Sequence, residues 1–378
     1  MELYYYTSTD TMRYILDKGD IFATNIRYMN DSEEYTNGLE ELFRLAKNED
    51  LVKKWIGDRG RNDISIEDIR QTFTKENLEK CRRNMDYYSI SFCQKNDLLS
   101  QWAIYAKESG VSIKMNFEND SYHFYTDSEE KDEEKGEEKR KKSEWKLAPE
   151  KVLYFTYDSM KNQEDEYERQ AFLILDKLYA RDFKDQTEGK DEVWRYVSTF
   201  VKRYDFYQEA ESRLVFQPTQ TAYFPKVQYR MDQKVLKPYL DMVCEDGWPI
   251  WEIMIGPGFN QQVVYNSVEH FLSHVEVKLG IRDTEDYLKR IEAYWNPYAD
   301  ELKNVKIYND LQSHIKDAKT AKMCLEDAQI ILGEEMQQVC SFICENDGCN
   351  EGLKKYIKRH RFMKKGLVLS RSSIPFIY

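Results

Sequence analysis

The spacing of apolar and polar residues predicts an opening in which strands and helices alternate. Residues 3–7 alternate as in a strand, and residues 10–18 repeat apolar side chains at helical spacing before Gly19. A second strand is expected over residues 21–28. Residues 32–47 then have the pattern of a helix, which Asn30 and Asp31 are suited to cap.

The middle of the chain continues with short strands between helices. Alternating apolar residues predict strands over residues 87–93, 110–117, 151–157, 213–217 and 249–255. Helical spacing predicts helices over residues 66–82, 98–106, 164–183 and 192–204. Beyond residue 260 the pattern is mostly helical until about residue 360, and residues 366–377 form an expected closing strand. Residues 127–142 are almost wholly charged, which predicts a solvated loop or a disordered excursion.

Composition narrows the class of protein. The chain has 378 residues and is 41% hydrophobic, which is enough to bury a core. Its net charge of -12 makes nucleic acid an unfavourable default partner. The opening residues lack a secretory signal, and no apolar run approaches the roughly 18 residues of a membrane span. The 7 cysteines are scattered, as in a reduced cytosolic protein. We therefore expect a cytoplasmic protein with no membrane partner.

Four segments, taken in order, resemble the bacterial domain-of-unknown-function family numbered 2971. Each segment is short, but the ordered set is more specific than any one of them. The chain's terminus, residues 369–375, also resembles that of the family. The four segments are Leu3-Tyr4-Tyr5-Tyr6-Thr7-Ser8, Met29-Asn30-Asp31-Ser32-Glu33-Glu34, Ser91-Phe92-Cys93 with Trp102-Ala103-Ile104-Tyr105-Ala106, and Glu209-Ala210-Glu211-Ser212-Arg213 with Ile253-Met254-Ile255-Gly256-Pro257.

The first segment is also similar to the opening of DNA-targeting ADP-ribosyltransferase toxins, in which a strand with His-x-Thr precedes a helix and a glycine. This fold-level analogy implies NAD as the substrate. It implies an α+β fold with a mixed or antiparallel β core of ADP-ribosyltransferase type, surrounding helices and a C-terminal helical insertion. The expected domains are a family core over residues 1–260 with a charged loop at about 118–148, a mainly helical accessory insertion over 261–350, and a closing helix and strand over 351–378.

The resemblance also implies catalytic residues. Cleaving the nicotinamide–ribose bond passes through an oxocarbenium-like transition state, which a carboxylate stabilises. On this template Glu209 or Glu211 is the carboxylate, and Arg213 is its partner. Tyr5 stands where the family has a histidine, and a phenol imitates histidine's hydrogen bonds only in part. The alternative is that Glu209 and Glu211 share one face of an edge strand and form an ion pair with Arg213.

Cofactor contacts follow from the same resemblance. Thr7 and Ser8 would hold ribose hydroxyls or phosphate, and Tyr6 or Tyr105 would supply a stacking ring. Each assignment has a structural alternative, which is core packing for the aromatic residues and helix capping for the residues of the second segment. The complete expected set is Tyr4, Tyr6, Thr7, Ser8, Asn30, Asp31, Glu34, Trp102, Tyr105 and Arg213.

Other kinds of site find little support. His270 and His274 have metal-compatible i,i+4 spacing, but no glutamate follows the first histidine as it does in zinc proteases. Three late cysteines fit no standard zinc or iron–sulfur spacing. We expect no metal. Phosphate-binding loops, dinucleotide fingerprints and serine-hydrolase elbows are also absent from the sequence.

Two functional hypotheses remain. The first is an NAD-dependent ADP-ribosyltransferase-like effector that modifies a macromolecular target, protein or nucleic acid, as a bacterial toxin or in antiphage defence. The second is a non-catalytic module on the same fold that binds a ligand or a regulatory partner protein. The tyrosine at position 5 favours the second hypothesis. A nuclease or base-acting toxin lacks any recognisable metal or basic signature.

Overall fold

The computed structural model describes residues 1–29, 34–61, 63–83, 86–106, 110–118, 121–132, 139–157, 164–179, 190–232, 234–346 and 348–374. The strands are β1 (Glu2–Thr7), β2 (Asp20–Asn25), β3 (Tyr88–Cys93), β4 (Val111–Asn116), β5 (Tyr122–Asp132), β6 (Lys139–Leu147), β7 (Glu150–Lys151), β8 (Leu153–Tyr154), β9 (Val201–Lys202), β10 (Glu211–Phe216), β11 (Gln228–Asp232), β12 (Val235–Cys244), β13 (Ile250–Ile255), β14 (Arg361–Met363) and β15 (Leu367–Arg371).

The helices are α1 (Thr9–Lys18), α2 (Glu34–Ala46), α3 (Glu49–Arg59), α4 (Ile66–Thr72), α5 (Lys75–Arg83), α6 (Leu99–Tyr105), α7 (Glu164–Tyr179), α8 (Lys190–Ser198), α9 (Gln261–His274), α10 (Thr284–Trp295), α11 (Ala299–Leu302), α12 (Lys306–Ala321), α13 (Leu325–Glu345) and α14 (Glu351–Arg359). The protein is therefore of the mixed α+β class. Within the described ranges, no helix is both long enough and apolar enough to cross a membrane.

The chain divides into two compact units. The first unit comprises Met1–Asp20, Cys93–His123 and Val243–Tyr378. The second unit comprises Ile21–Phe92 and Phe124–Met242. Both units combine strands with helices.

The sheet of the first unit mixes strand directions. β1 pairs with β4, and β4 with β13, in antiparallel fashion. β13 then pairs with β15 in parallel, and β15 pairs with β14 in antiparallel fashion. Gly256 directly follows β13 and lies close to α6. A Cβ added at this position would lie 2.8 Å from the Trp102 ring, so the residue after β13 has to be glycine for steric reasons.

The late helices of the first unit pack around their own hydrophobic core. α10, α12, α13 and α14 contribute large buried side chains, including Tyr287, Trp295 and Met336. Trp295 donates its indole N–H to the Met336 sulfur at 2.9 Å. Arg290 is buried among them and donates to the backbone carbonyls of Gly366 and Leu279. This helical group matches the mainly helical region that the sequence predicts after residue 260.

The second unit joins a sheet to a separate helical core. β3 pairs with β2, β10 pairs with β7, and β11 pairs with β12, each in antiparallel fashion, while β8 and β9 pair in parallel. Its core combines aromatic and aliphatic side chains from α2, α3, α7 and α8, including Trp55, Leu175 and Trp194. Phe73 stacks on Trp194 with ring centroids 3.5 Å apart.

The charged segment differs from its prediction. Residues 127–142 were expected to form a solvated or disordered loop. Residues 133–138 lie outside the described residues, but β5 and β6 occupy residues 122–132 and 139–147. The reason is that small or apolar residues recur among the charges, and Phe124, Thr126, Ser128, Ser143 and Trp145 are all buried. A strand needs only every second side chain to face inward, so the charges project from the other face.

Candidate functional site

Strand β1 directs its side chains to two faces. Leu3, Tyr5 and Thr7 share one face, and Tyr4 and Tyr6 share the other. Leu3 and Thr7 are buried and Tyr5 is partly buried. The three consecutive tyrosines therefore do not act as one aromatic surface.

Tyr4 and Tyr6 belong to a packed aromatic cluster of the first unit. They lie with Cys93, Trp102 and Met254 in one buried group. The Tyr6 and Trp102 rings meet edge to face with centroids 4.8 Å apart. The Tyr6 hydroxyl donates to the Lys95 carbonyl at 3.1 Å and accepts from the Leu98 N–H at 3.0 Å. Burial raises the pKa of Tyr6. These contacts are those of a core residue rather than an open stacking surface.

Trp102 is held from its other edge by Asp97. The Trp102 indole N–H donates to Asp97 at 3.0 Å, and the Ser373 N–H donates to the same carboxylate at 2.8 Å. Although burial opposes it, hydrogen bonds from Ser372, Ser373 and Trp102 lower the pKa of Asp97. Tyr105, at the end of α6, is exposed. Of the two aromatic residues predicted on α6, Tyr105 is thus the accessible one.

Ser8 has a clear structural role. Its hydroxyl accepts from the Thr11 N–H at 3.1 Å and so caps α1. Gly19 ends the same helix with a φ of 84°, which is a left-handed conformation suited to glycine. The strand–helix–glycine opening is therefore present, with Ser8 serving as the helix cap.

The second predicted segment is only partly described. Asn30 and Asp31 lie outside the described residues. Glu34 is the first residue of α2, and its side chain is not among the described atoms. Their roles as ligand contacts or as a helix cap stay predictions.

Glu211 and Arg213 form a buried ion pair in the second unit. They sit two residues apart on β10, and so point the same way. Arg213 Nε lies 2.6 Å from Glu211 Oε1, and Arg213 Nη2 lies 2.8 Å from Oε2, in a two-pronged arrangement. The third donor, Nη1, reaches the Thr199 carbonyl at 2.6 Å. Arg213 is thereby the partner of Glu211. The expectation that Glu209 and Glu211 share one face of an edge strand is wrong, because Glu209 lies in the preceding 3₁₀ helix and β10 pairs on both sides.

Lys202 links the two candidate glutamates. Its Nζ lies 2.7 Å from Glu209 Oε2 and 3.2 Å from Glu211 Oε2. The side chain of Glu209 is 18% exposed, compared with 7% for Glu211. Burial opposes the charge of Glu211, but the nearby Arg213 and Lys202 charges hold the pKa of that carboxyl well below its ordinary value. Of the two carboxylates, Glu209 is the one more open to a ligand.

The backbone between the glutamates is strained. Ala210 has a φ of 46°, in the left-handed region that residues with a Cβ disfavour. It separates a 3₁₀ helix over Tyr204–Glu209 from β10. Strain of this kind is found preferentially where a structure has to aim particular side chains. Here it accompanies the convergence of Glu209 and Glu211 on Lys202.

An aromatic pair in the same 3₁₀ helix as Glu209 was missed by the sequence analysis. The rings of Tyr204 and Tyr207 stack with centroids 5.2 Å apart and planes 13° from parallel. The 3₁₀ helix explains the stacking, because side chains three residues apart eclipse one another in this helix. Tyr207 is 49% exposed. The Tyr-x-x-Tyr spacing was the available signal, but residues 192–204 were expected to continue as an α-helix and the 3₁₀ helix was not foreseen.

The predicted site residues therefore fall into two groups. Tyr4, Tyr5, Tyr6, Thr7, Ser8, Trp102 and Tyr105 belong to the first unit, whereas Glu209, Glu211 and Arg213 belong to the second. Within the second unit, the stretch from Lys202 to Arg213 joins Glu209 and Glu211 to Lys202 and Arg213 and also carries the exposed ring of Tyr207. We call this stretch the acidic corner.

The described residues contain no group of three or more histidine, cysteine, aspartate or glutamate side chains that could hold a metal ion. His270 and His274 do lie together on α9, with ring centroids 4.1 Å apart. The acidic corner offers a charged and aromatic surface without such a group.

Comparisons with known proteins add no relative. No protein-family model, no curated protein and no solved structure matches this chain.

Proposed function

We propose that this chain is an ADP-ribosyltransferase-like enzyme that uses NAD as a substrate, and that the acidic corner receives the nicotinamide riboside end of NAD. The observation that carries this proposal is that one 3₁₀ helix holds both the exposed Tyr207 ring and the partly exposed carboxylate of Glu209. The resemblance to family 2971 extends the proposal to a macromolecular target and to a bacterial toxin or antiphage defence effector.

The chemistry of NAD fits these two side chains. The nicotinamide ring of NAD is planar and positively charged, so the face of Tyr207 attracts it by stacking and by a cation–π interaction. When the nicotinamide–ribose bond breaks, the electron pair leaves with the ring nitrogen and positive charge develops on the ribose. A carboxylate close to that position stabilises the charge. We assign this role to Glu209.

The buried residues of the acidic corner would then position Glu209. Lys202 bonds to Glu209 and Glu211 together, and Glu211 is fixed in turn by Arg213. The Glu211 N–H also donates to the Tyr154 hydroxyl at 2.7 Å, which anchors the start of β10. A carboxylate held in this way loses little freedom when a ligand binds. Glu211 thus acts through Lys202 rather than on the substrate.

The second candidate function is NAD or nucleotide binding without turnover. Two observations favour it: Lys202 already neutralises Glu209, and Tyr5 replaces the family's histidine. A paired carboxylate stabilises a developing cation less than a free one does. In this case the Tyr207 surface would still bind a planar ligand.

Labelled NAD incubated with purified protein and cell lysate tests the proposal. We expect loss of NAD and transfer of label to a macromolecule. Glu209→Gln should reduce the rate about a hundredfold, the scale on which loss of one transition-state contact acts. Tyr207→Ala should weaken NAD binding about fivefold, as expected for one exposed cation–π contact.

Matched controls are available in the same chain. Glu269 is an ion-paired carboxylate with 22% exposure of its side chain, and Phe224 is 49% exposed like Tyr207. Glu269→Gln and Phe224→Ala should behave as the unaltered protein. Saturable NAD binding without NAD loss would establish the binding function instead. The enzyme proposal fails if the unaltered protein and Glu209→Gln give the same absence of NAD loss and label transfer.

A further inference from the structure

One face of the β11–β12 hairpin is apolar along its length. This face is buried at one end of β12 and exposed at the other end. In β12, Leu240 and Met242 point one way and are fully buried. Leu236 lies on the same face, but it is exposed. Met231 is directly opposite Leu236 in the paired strand, and Tyr229 lies two residues further on the same face.

The exposure of this end of the hairpin is large. The exposed fractions are 61% for Tyr229, 67% for Met231 and 53% for Leu236. Single exposed apolar residues are ordinary, but three that share one face of a hairpin form an apolar patch suited to an interaction.

The opposite face of the same hairpin is polar and internally bonded. Arg230 donates to Thr24 at 3.1 Å and lies over the Phe22 ring. Lys237 pairs with Asp232 at 2.8 Å. The hairpin is therefore amphipathic, with its polar face already satisfied and its apolar face uncovered by the described residues.

The charge of this segment is opposite to that of the chain. Residues 226–237 contain four basic residues and one acidic residue, in a protein whose net charge is -12. The basic residues are Lys226, Arg230, Lys234 and Lys237, and Lys234 is exposed at the turn. Asp127 and Glu129 of β5 bond to the backbone at the start of this segment, and Lys237 is paired with Asp232. The screening length is about 8 Å at physiological salt, so a partner at the tip of the hairpin responds mainly to Lys234.

We propose that the β11–β12 hairpin docks on a bilayer surface that contains anionic phospholipid. Aliphatic side chains and a tyrosine that face one way, with lysines beside them, suit the boundary between acyl chains and headgroups. Three partly exposed side chains present only a few hundred Å², below the roughly 800 Å² that each partner buries in a standard protein interface. A second copy is also disfavoured, because two basic hairpins would repel one another.

This inference revises the expectation of no membrane partner, which was drawn from the absence of a spanning segment. It does not depend on the proposed NAD chemistry. The contact would be peripheral and reversible, because one short apolar patch with a few basic residues gives only modest binding.

Sedimentation of the full chain with lipid vesicles tests the inference. We expect the protein to bind vesicles of phosphatidylcholine mixed with phosphatidylglycerol, and not vesicles of phosphatidylcholine alone. Binding should decrease as salt increases. The double variant Met231→Ser/Leu236→Ser should lose binding at least about tenfold, since two apolar side chains leave the bilayer. Lys234→Glu should weaken it by about fivefold or more.

Val263 supplies the matched control, because it is 67% exposed, as Met231 is, and lies on α9 in the first unit. Val263→Ser should bind vesicles like the unaltered protein, and thermal unfolding should show that every variant is folded. Absence of binding to the mixed vesicles would overturn the inference. An equal loss of vesicle binding in Val263→Ser and in the double variant would also overturn the inference. Equal binding to vesicles with and without phosphatidylglycerol would overturn it as well.

Discussion

Strand β1 and the acidic corner are both rich in tyrosine and polar groups, but the protein uses them differently. In β1 the hydroxyl of Tyr6 is tied to two backbone groups and its ring is covered by Trp102. In the acidic corner Tyr207 keeps half of its surface exposed, and Lys202 and Glu211 of the same corner form a buried ion pair. A tyrosine-rich stretch of sequence therefore does not by itself indicate a binding surface, because exposure decides which ring can meet a ligand.

The two regions also satisfy their buried polar groups with different kinds of interaction. Tyr6 of β1 uses neutral hydrogen bonds, and the acidic corner uses a network of full charges. Removing a neutral hydroxyl from a buried site costs less than leaving a buried charge without its partner. This difference predicts which substitutions should lower the free energy of unfolding most.

Arg213→Ala should have the largest effect. It leaves the buried Glu211 carboxylate with Lys202 alone, so we expect a loss of about 3–5 kcal/mol in the free energy of unfolding. Urea denaturation measures this change in the free energy of unfolding. Arg203→Ala, which breaks the exposed pair with Asp205, should cost less than about 1 kcal/mol. An equal, small effect of both substitutions would contradict a network that depends on buried charge.

The second-largest effect is expected from low pH, which should weaken the acidic corner. Because the folded pKa of Glu211 is held below its ordinary value of 4.5, the ionised form stabilises the fold above that pH. This stability is lost as the pH falls from about 4.5 toward the folded pKa of about 2. Hydrogen exchange at β10, followed against pH, should show this loss of protection. Glu211→Gln should be less stable at neutral pH and should depend less on pH across this window. A Glu211→Gln profile parallel to that of the unaltered protein would exclude Glu211 as the responsible group.

Tyr6→Phe should have the smallest effect of the three. It leaves the Leu98 N–H without its acceptor, so we expect a loss of about 1–3 kcal/mol. Tyr207→Phe removes an exposed hydroxyl and should change stability by less than about 0.5 kcal/mol. NAD affinity should be unchanged in Tyr6→Phe, because this ring is covered. Weaker NAD binding at unchanged stability would place Tyr6 in the ligand site after all.

Local patterns predicted much of the secondary structure. Helix α1 was recognised because its apolar spacing and Gly19 agree, and the structure places it at Thr9–Lys18. Strands β4 and β13 followed from alternation. The β11–β12 hairpin was not predicted, since its exposed apolar residues and Pro238 obscure the alternation. The charged β5 and β6 were missed because net charge was weighed above the small residues that alternate with it.

The candidate site was less predictable than the fold. Glu211 and Arg213 could be paired from their spacing of two residues, and the structure pairs them. Lys202 could not be linked to them, because residues 192–204 were expected to be a continuous helix. In the structure α8 ends at Ser198 and β9 carries Lys202 beside β8. Contacts of this kind depend on tertiary packing, which periodicity does not encode.

The central claim is that the exposed ring of Tyr207 meets the nicotinamide of NAD. Saturation-transfer NMR on NAD in the presence of the full chain tests it most directly. We predict strong transfer to the nicotinamide protons with the unaltered protein and with Phe224→Ala, and markedly weaker transfer with Tyr207→Ala. Transfer to the nicotinamide protons that persists unchanged in Tyr207→Ala, or that is absent in the unaltered protein, would contradict the claim.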